Sequence, residues 1–587
     1  SCERAMGNLE KTEREIARLI DAVKAAVPGS AVKDETATLE AKRIELLAQT
    51  RSNISTRISG EAVVNAITRT IITAVIVFGA AGSVSSLHAA DCDIAILNGR
   101  VMDPETKFDD VRNVCVVGAK ITAITTDKIS GKETINAKGH VVAPGFIDGH
   151  VHVVDVPLGQ KGILRDGVTT ALDLEVGAYP VDLWYDNLAG KSQTNYGAVA
   201  SVAAARTVAF NPDYKSTTGN MVSDLFTGVH VGADWSNRVP TDDERKKIVE
   251  VVERGLKRGA LGVGPPAGYM TLGFTSQEMI EIQKLVGKYG RFSHIHTRFS
   301  SQTSPTSGIL AFQEPFASAG SYGGGVIIAH FTAQSLALSE AAMTYVDDLR
   351  ANGLPIVLEV YPYNFGAAGN GVAADYLKPE NYQKNMGRDY KDIIDTQTGK
   401  PLDKATYDKL VKDDPSHPVL FYNATEEDML KGVAHPDVLI GCDCFPFTDP
   451  KTGKFVSDWD TPWGSVNTHP RTVGAHAKVL RLAREKKVDL TLMQAISKMS
   501  YQYAKFLEDN GVPQMAFKGR LQVGADADIT IFDPKTVRDK SSLEQGKNSL
   551  PSTGIPYVVV NGIIAVKDSK VLKGVYPGQP IRLPEVK

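Results

Sequence analysis

Six side chains in this 587-residue chain have the types and spacing to hold a metal ion: His150, His152, Glu175, His296, His330 and Asp443. His150 and His152 stand at i and i+2 in FIDGHVH, and on a strand that spacing turns both imidazoles to one face. The other four each close a short apolar run: ALDLE, SHIH, VIIAH and VLIGCD. Imidazole nitrogens and carboxylate oxygens are the usual ligands of zinc at a hydrolytic site. Taken singly, each residue has an ordinary reading. A strand histidine is more often a hydrogen-bonded core residue than a ligand, Asp443 could be a turn residue, and Glu175 could pair with Arg298. The joint pattern is more specific: His140, His150, His152, His294, His296 and His330, half of the 12 histidines, lie in or beside these run ends.

Such residues need a scaffold that brings successive run ends to one place. Hydrophobic residues are 42% and charged residues 23%, the composition of a folded globular chain, which excludes wholesale disorder and a polytopic membrane protein. Lys plus Arg is 65 against 68 Asp plus Glu, so no basic excess argues for nucleic acid. From about 146 to 507, β-runs alternate with helical runs, as in GVTTALDLE, GALGVGPPA before SQEMIEIQKLVGKYG, RFSHIHTRF, GGVIIAHFTAQ, IVLEVYPYN and DVLIGCDCFPF. That rhythm predicts an α/β fold, a (β/α)8 TIM barrel whose site sits at the C-terminal ends of its strands. Residues 91–145 and 508–587 are strand-and-turn text instead. They predict one small β-sandwich domain built from both ends of the mature chain. Residues 366–425 interrupt the rhythm with helix-forming pieces and no evident strand, and are expected to be a lid insertion.

The first 90 residues differ in character. Residues 1–60 are charged and helical in pattern, with Leu19, Ile20, Val23 and Val27 at helical spacing before a Pro-Gly break. LEKTEREIARLIDAVKAAVPGSAVKDE resembles the C-terminal helical region of serine site-specific recombinases. It carries no recombinase catalytic residue, so no DNA activity is expected, and it is read as an appended segment. Within 61–90, Arg69, the apolar run Ile71–Ala81 and SVSSLHAA form a signal-peptide-like pattern. The run is too short for a stable membrane span. A mature chain starting near Asp91, in a periplasmic or secreted location, is therefore expected. Five cysteines are too few for a disulfide scaffold.

The order His-x-His, acid, His, His, Asp resembles the amidohydrolase superfamily, and the text is most similar to its N-acyl-D-amino-acid deacylase (D-aminoacylase) branch. The matching words are APGFIDGHVH, DGVTT, IHTR, IIAH, LEVYPY, LIGCD, HPRTVGAHAKVL, KGRLQVGADADITIFDPKTV and YVVVNGIIAV. The resemblance implies hydrolysis of the amide bond of N-acyl-D-amino acids, N-acyl-D-glutamate among them, with one or two Zn2+ ions. It implies that His150 and His152 hold the more buried metal and His296 and His330 the more exposed one. Asp443 would touch the metal and shuttle the proton. The family places a Cys after GVTT, whereas this chain offers Glu175 near that position, a carboxylate able to bridge two metals. Hydantoinase and dihydroorotase relatives use a carboxylated Lys, and no Lys stands at these run ends.

An amino-acid product carries an α-carboxylate that a cation must meet. The family's Lys two residues past the His330 position is absent, because the text here is AHFT. Arg471, Tyr363 and Arg298 are the candidate substrate-binding residues. The partner implied is a small-molecule N-acyl amino acid, and a homo-oligomer stays open. Two alternatives remain: a cyclic-amide hydrolase or deaminase on the same scaffold, and a non-catalytic scaffold barrel. Because residues 1–90 lie outside both the barrel and the β-domain, their removal is expected to leave a folded and active enzyme. Circular dichroism melting and turnover check this; aggregation or lost activity would make those residues part of the fold.

Overall fold

The computed structural model describes residues 92–232, 234–368 and 371–586, apart from the side chain of Phe226. The segments expected at 1–60 and 61–90 lie outside the described residues. The centre of the molecule is an eight-stranded parallel sheet nearly closed as a barrel. Its strands are Phe146–Asp148, Val168–Ala178, Asn195–Ser201, Val263–Gly264, Phe292–Ile295, Gly325–Ile328, Ile356–Val360 and Leu439–Ile440. Each pairs with the next in chain order. The first and last meet just beyond their ends, where Val151 bridges Cys444 in parallel. There the Cys444 N–H donates to the His150 carbonyl at 3.1 Å and the His152 N–H to the Cys444 carbonyl at 3.3 Å.

Helices cover the outside, as parallel strands require. Val168–Ala178 is buried at every position. Helix Asp242–Lys257 starts on a Thr241–Glu244 capping box and buries Ile248, Val251, Val252 and Leu256, one stripe at 3.6-residue period. Helix Ser276–Tyr289 repeats the device with Thr275 and Glu278. Inside the barrel, Ile147, Leu172, Val199, Phe292, Ile327, Val357 and Leu439, from seven of the eight strands, meet in one apolar cluster. Tyr503, Ala504 and Leu507 of helix Tyr501–Asp509 join the same cluster. Strand alternation then carries the polar residues one layer above this plug: His294 and His296 follow Phe292, Glu359 and Tyr361 follow Val357, and Asp443 follows Leu439 at even spacing.

Glu175 breaks that parity. Asp173 pairs with Ala198, but the next paired residue is Ala178, opposite Ala200. The chain bulges between them, with Gly177 at φ +73°. A bulge re-aims a side chain that alternation would send elsewhere, and this one turns Glu175 toward the strand ends.

The flanking β-domain is a nine-stranded sheet. Cys92–Asp103 pairs antiparallel with Phe108–Val117, and Val141–Pro144 pairs antiparallel with Ile529–Phe532. Ile94, Val116 and Val142 share a core with Ile529 and Val559, so both flanks of the barrel supply it. A disulfide joins Cys92 to Cys115. The stretch expected at 508–587 as β-domain is not all sheet. Ile581 and Leu583 pack in the barrel's inner cluster, and the Ile581 N–H donates to the Tyr196 carbonyl.

The insertion departs from expectation too. It holds a three-stranded sheet of Phe365–Ala367, Ile393–Asp395 and Val419–Tyr422. These strands are three or four residues long, too short to show a period in the sequence. Val372, Leu377, Tyr382, Ile393, Tyr407 and Val419 give the insertion a core of its own. Among the described residues no helix is long and apolar enough to cross a membrane.

The bulge needs the fourth strand to come close. A Cβ at Gly264 would lie 2.1 Å from the Glu175 carbonyl oxygen. Gly264→Ala is therefore expected to destabilise the protein by about 1–3 kcal/mol, the usual cost of overpacking, read as a lower denaturant midpoint. An unchanged midpoint would mean that the bulge relaxes freely.

Candidate active site

The strand ends bring all six expected ligands together. Glu175 lies between two pairs of imidazoles. Its Oε2 is 3.3 Å from His150 Nε2 and 3.2 Å from His152 Nε2, and its Oε1 is 2.9 Å from His296 Nδ1 and 3.7 Å from His330 Nε2. Asp443 faces the same groups: Oδ1 is 3.5 Å from His150 Nε2 and 3.4 Å from His152 Nε2, and Oδ2 is 3.9 Å from His330 Nε2. His150, His152, Glu175, His330 and Asp443 are buried.

These donors fit zinc. Bonds of 2.0–2.1 Å in a tetrahedron place ligand atoms about 3.3 Å apart, close to the separations above. The sets His150–His152–Glu175, His150–His330–Asp443 and Glu175–His296–His330 each converge tightly enough to share one ion. His150 Nε2 is buried and faces the Glu175 and Asp443 carboxylates. The other ring nitrogen, Nδ1, lies 3.0 Å from Glu359 Oε2, a carboxylate that would hold the Nδ1 proton and so free Nε2 for a metal ion.

Charge balance keeps the carboxylates ionised. Burial pushes Glu175 toward protonation, but His150 and hydrogen bonds with His150, His152 and His296 override it and hold the carboxyl well below its usual range. Asp443 behaves alike: burial opposes its charge, while Arg471 and His150 more than compensate. The Arg471 guanidinium sits 2.6 Å from Asp443 Oδ2 through Nη2, and its Nε donates to the Asp443 carbonyl.

Three residues not anticipated complete the site. Glu359 spans His150 and His294, 2.9 Å from His294 Nε2. Gly441 leaves room for it, since a Cβ there would lie 2.7 Å from the Glu359 carboxyl carbon. Asp173 stands 3.5 Å from His152 Nδ1 and accepts a hydrogen bond from Asn220. Gln334, one turn beyond His330 on Phe331–Ser335, reaches both His296 Nε2 and His330 Nδ1 at 3.2 Å. Glu359 lies in LEVYPY, and an acid inside a buried run was the available signal.

Above the cluster opens a cavity of about 820 Å3, lined by His152, Glu175, His296, His330, Asp443, Arg298 and Arg471. Met221, Trp235 and Leu272 form an apolar side, and Ala374, Tyr376 and Phe421 of the insertion face it. The substrate candidates separate here. Arg471 is buried, and its Nη1 makes no hydrogen bond. Arg298 lines the cavity, but its guanidinium is engaged by both Glu314 oxygens and the Phe274 carbonyl. Tyr363 is not brought to the cavity; its hydroxyl meets the Pro470 carbonyl and Lys478 sits over its ring. The strand ends at Val360, so Tyr361 rather than Tyr363 faces inward, beneath Arg471 and 5.7 Å from the His330 ring.

No protein-family model matches the chain. It is 25% identical over 518 residues to a D-aminoacylase of Alcaligenes xylosoxydans xylosoxydans, covering 80% of this chain and 93% of that one. It is 24% identical over 499 residues to a dihydroorotase of Geotalea daltonii, covering 81% and 99%. Among solved structures, an N-acyl-D-glutamate deacylase from Bordetella bronchiseptica, complexed with zinc and a phosphonate inhibitor, aligns with a TM-score of 0.64. That alignment has 21% identity and covers 84% of this chain and 100% of the other. The expected resemblance is borne out in these D-aminoacylase homologues and structural neighbours, and with it the barrel fold.

Removing the acceptor behind His150 should loosen the metal. Glu359→Ala is expected to weaken zinc binding roughly 10- to 100-fold, the usual cost of losing a partner behind a ligand. Competition against a chromogenic chelator measures it; wild-type affinity would detach Glu359 from the metal centre.

Proposed function

We propose that this chain is a zinc-dependent hydrolase that cleaves the amide bond of N-acyl-D-amino acids, N-acyl-D-glutamate among the candidates, to a carboxylate and a D-amino acid. The observation that carries the reading is Arg471. One guanidinium nitrogen pairs with Asp443 while another is buried and makes no hydrogen bond, and the residue borders the cavity beside the histidine–carboxylate cluster. An anionic group of the substrate would find its partner there, next to the group expected to move the proton. The homologues support the same chemistry.

Zinc, when bound, supplies a Lewis acid and makes hydroxide available near neutral pH. His150, His152, His296 and His330 would hold it, with Glu175 placed so that each of its oxygens serves one pair of imidazoles. Asp443 would accept the proton of the attacking water and deliver it to the leaving nitrogen, which departs poorly as an anion. Arg471 Nη1 would hold the α-carboxylate and so fix the scissile carbonyl against the cluster. The insertion would limit the access of bulk water. A cyclic-amide hydrolase built on a carboxylated lysine is less well supported. Glu175 lies between the two pairs of imidazoles, and the one lysine lining the cavity among the described residues, Lys378, pairs with Asp375. The disulfides Cys92–Cys115 and Cys442–Cys444 support a periplasmic or secreted location, where such bonds persist.

Screening N-acetyl-D-amino acids, their L-isomers, hydantoins and dihydroorotate tests the assignment: turnover confined to the D-acyl series is expected, and turnover of the cyclic amides alone would refute it. Asp443→Asn should keep zinc, because its carbonyl oxygen still reaches the ion, and lose about 10²–10⁴-fold in turnover. Arg471→Ala should raise KM well above its effect on metal content. Near-normal kcat in the zinc-loaded Asp443→Asn protein would remove that carboxylate from the mechanism.

A further inference from the structure

Asp443 sits between two cysteines. Cys442 and Cys444, both buried, are joined to each other by a disulfide across the single intervening residue. Their Cα atoms are 4.9 Å apart, whereas an extended strand separates i and i+2 by about 6.6 Å. The backbone is contracted around Asp443, whose φ of +48° lies in the left-handed region. A residue with a Cβ rarely adopts that region unless its surroundings hold it there.

Both ends of the disulfide ring are tied to the strand that carries the two histidines. The Cys442 N–H donates to Asp148 Oδ1 at 3.2 Å. Cys444 exchanges hydrogen bonds with the backbones of His150 and His152. The Asp443 carbonyl is taken by Arg471 Nε. These contacts fix the ring relative to the His-x-His segment. The covalent link inside the ring then restricts the direction in which the Asp443 carboxylate leaves it.

We propose that the Cys442–Cys444 disulfide is a positioning element for Asp443, and that its reduction by a phosphine or thiol reductant lowers turnover by displacing the Asp443 carboxylate from the metal cluster. The inference rests on the proton-transfer role given to Asp443 above. With a phosphine, the S–S bond breaks, the two sulfurs take two electrons from phosphorus and two protons from water, and two thiols and a phosphine oxide form. The freed chain can then extend at residue 443, and a displacement of 1 Å at a reacting group can cost about 10²-fold in rate.

The test compares the full-length zinc enzyme before and after treatment with tris(2-carboxyethyl)phosphine. Differential alkylation and mass spectrometry count the thiols on the peptide that carries Cys442 and Cys444. The double variant Cys442→Ser/Cys444→Ser is assayed beside Cys92→Ser/Cys115→Ser, which opens the other disulfide. Expected are a fall in kcat of about 10–10²-fold with KM within twofold and zinc retained, in the reduced enzyme and the first variant, and no such fall in the second. Unchanged kcat with both thiols alkylated overturns the proposal; so does a fall that merely tracks loss of zinc or of folded protein. Should the serine variant not fold, the reduced wild type decides. Crystal structures of the oxidised and reduced protein give a reading independent of turnover, through the 3.4 Å separation between Asp443 Oδ1 and His152 Nε2. If no N-acyl-D-amino acid is turned over, the assigned reaction fails, while a carboxylate that moves or stays on reduction still decides the positioning.

Discussion

A carboxylate shut away from water needs cations around it, and much of this molecule is arranged to answer that need at Glu175. Four imidazoles surround its two oxygens, and a second acid, Asp443, shares three of them. Breaking such a set leaves an uncompensated buried charge, which costs several kcal/mol. The barrel therefore has to deliver five strand ends to one point. It uses local distortions to do so: a bulge before Gly177 turns Glu175, and positive φ at His330 and Asp443 turns two more side chains inward. Strained backbone gathers where function demands an orientation that regular strands do not offer.

The proton positions follow from the same constraint. Glu359 behind His150 and Asp173 behind His152 face the ring nitrogens that point away from the centre. With those outer protons held, the inner nitrogens would be free to ligate a metal ion once one binds. Gln334 links the second pair of histidines from one turn of helix. Arg471 closes the arrangement by joining the last barrel strand to the helix that follows it, and so it touches both the acid and the cavity.

The six converging residues were legible in the sequence because they stand at the ends of short apolar runs, and a parallel barrel places such ends side by side. The acids behind them were not. Glu359 meets His150 across 209 residues, and no local spacing encodes that pairing. Tyr361 and Tyr363 look equivalent in LEVYPY, and only the end of the strand at Val360 separates them. The third strand, Asn195–Ser201, carries no ligand and went unremarked in the alternation. The insertion hid its strands because three residues cannot display a period. The pairing of Cys442 with Cys444 depends on a backbone conformation at Asp443 that residue types alone do not specify.

The sheet that joins Val141–Pro144 to Ile529–Phe532 makes contacts between segments lying on either side of nearly the whole barrel sequence. Loop entropy of that size must be met before the pairing gains anything, so the clasp is expected to form late, once the barrel has drawn its flanks together. Interactions formed after the rate-limiting step slow unfolding without speeding folding. The β-domain, whose strands stand apart from the histidine–carboxylate cluster, would on this argument make the native state slow to leave without changing how fast it is reached.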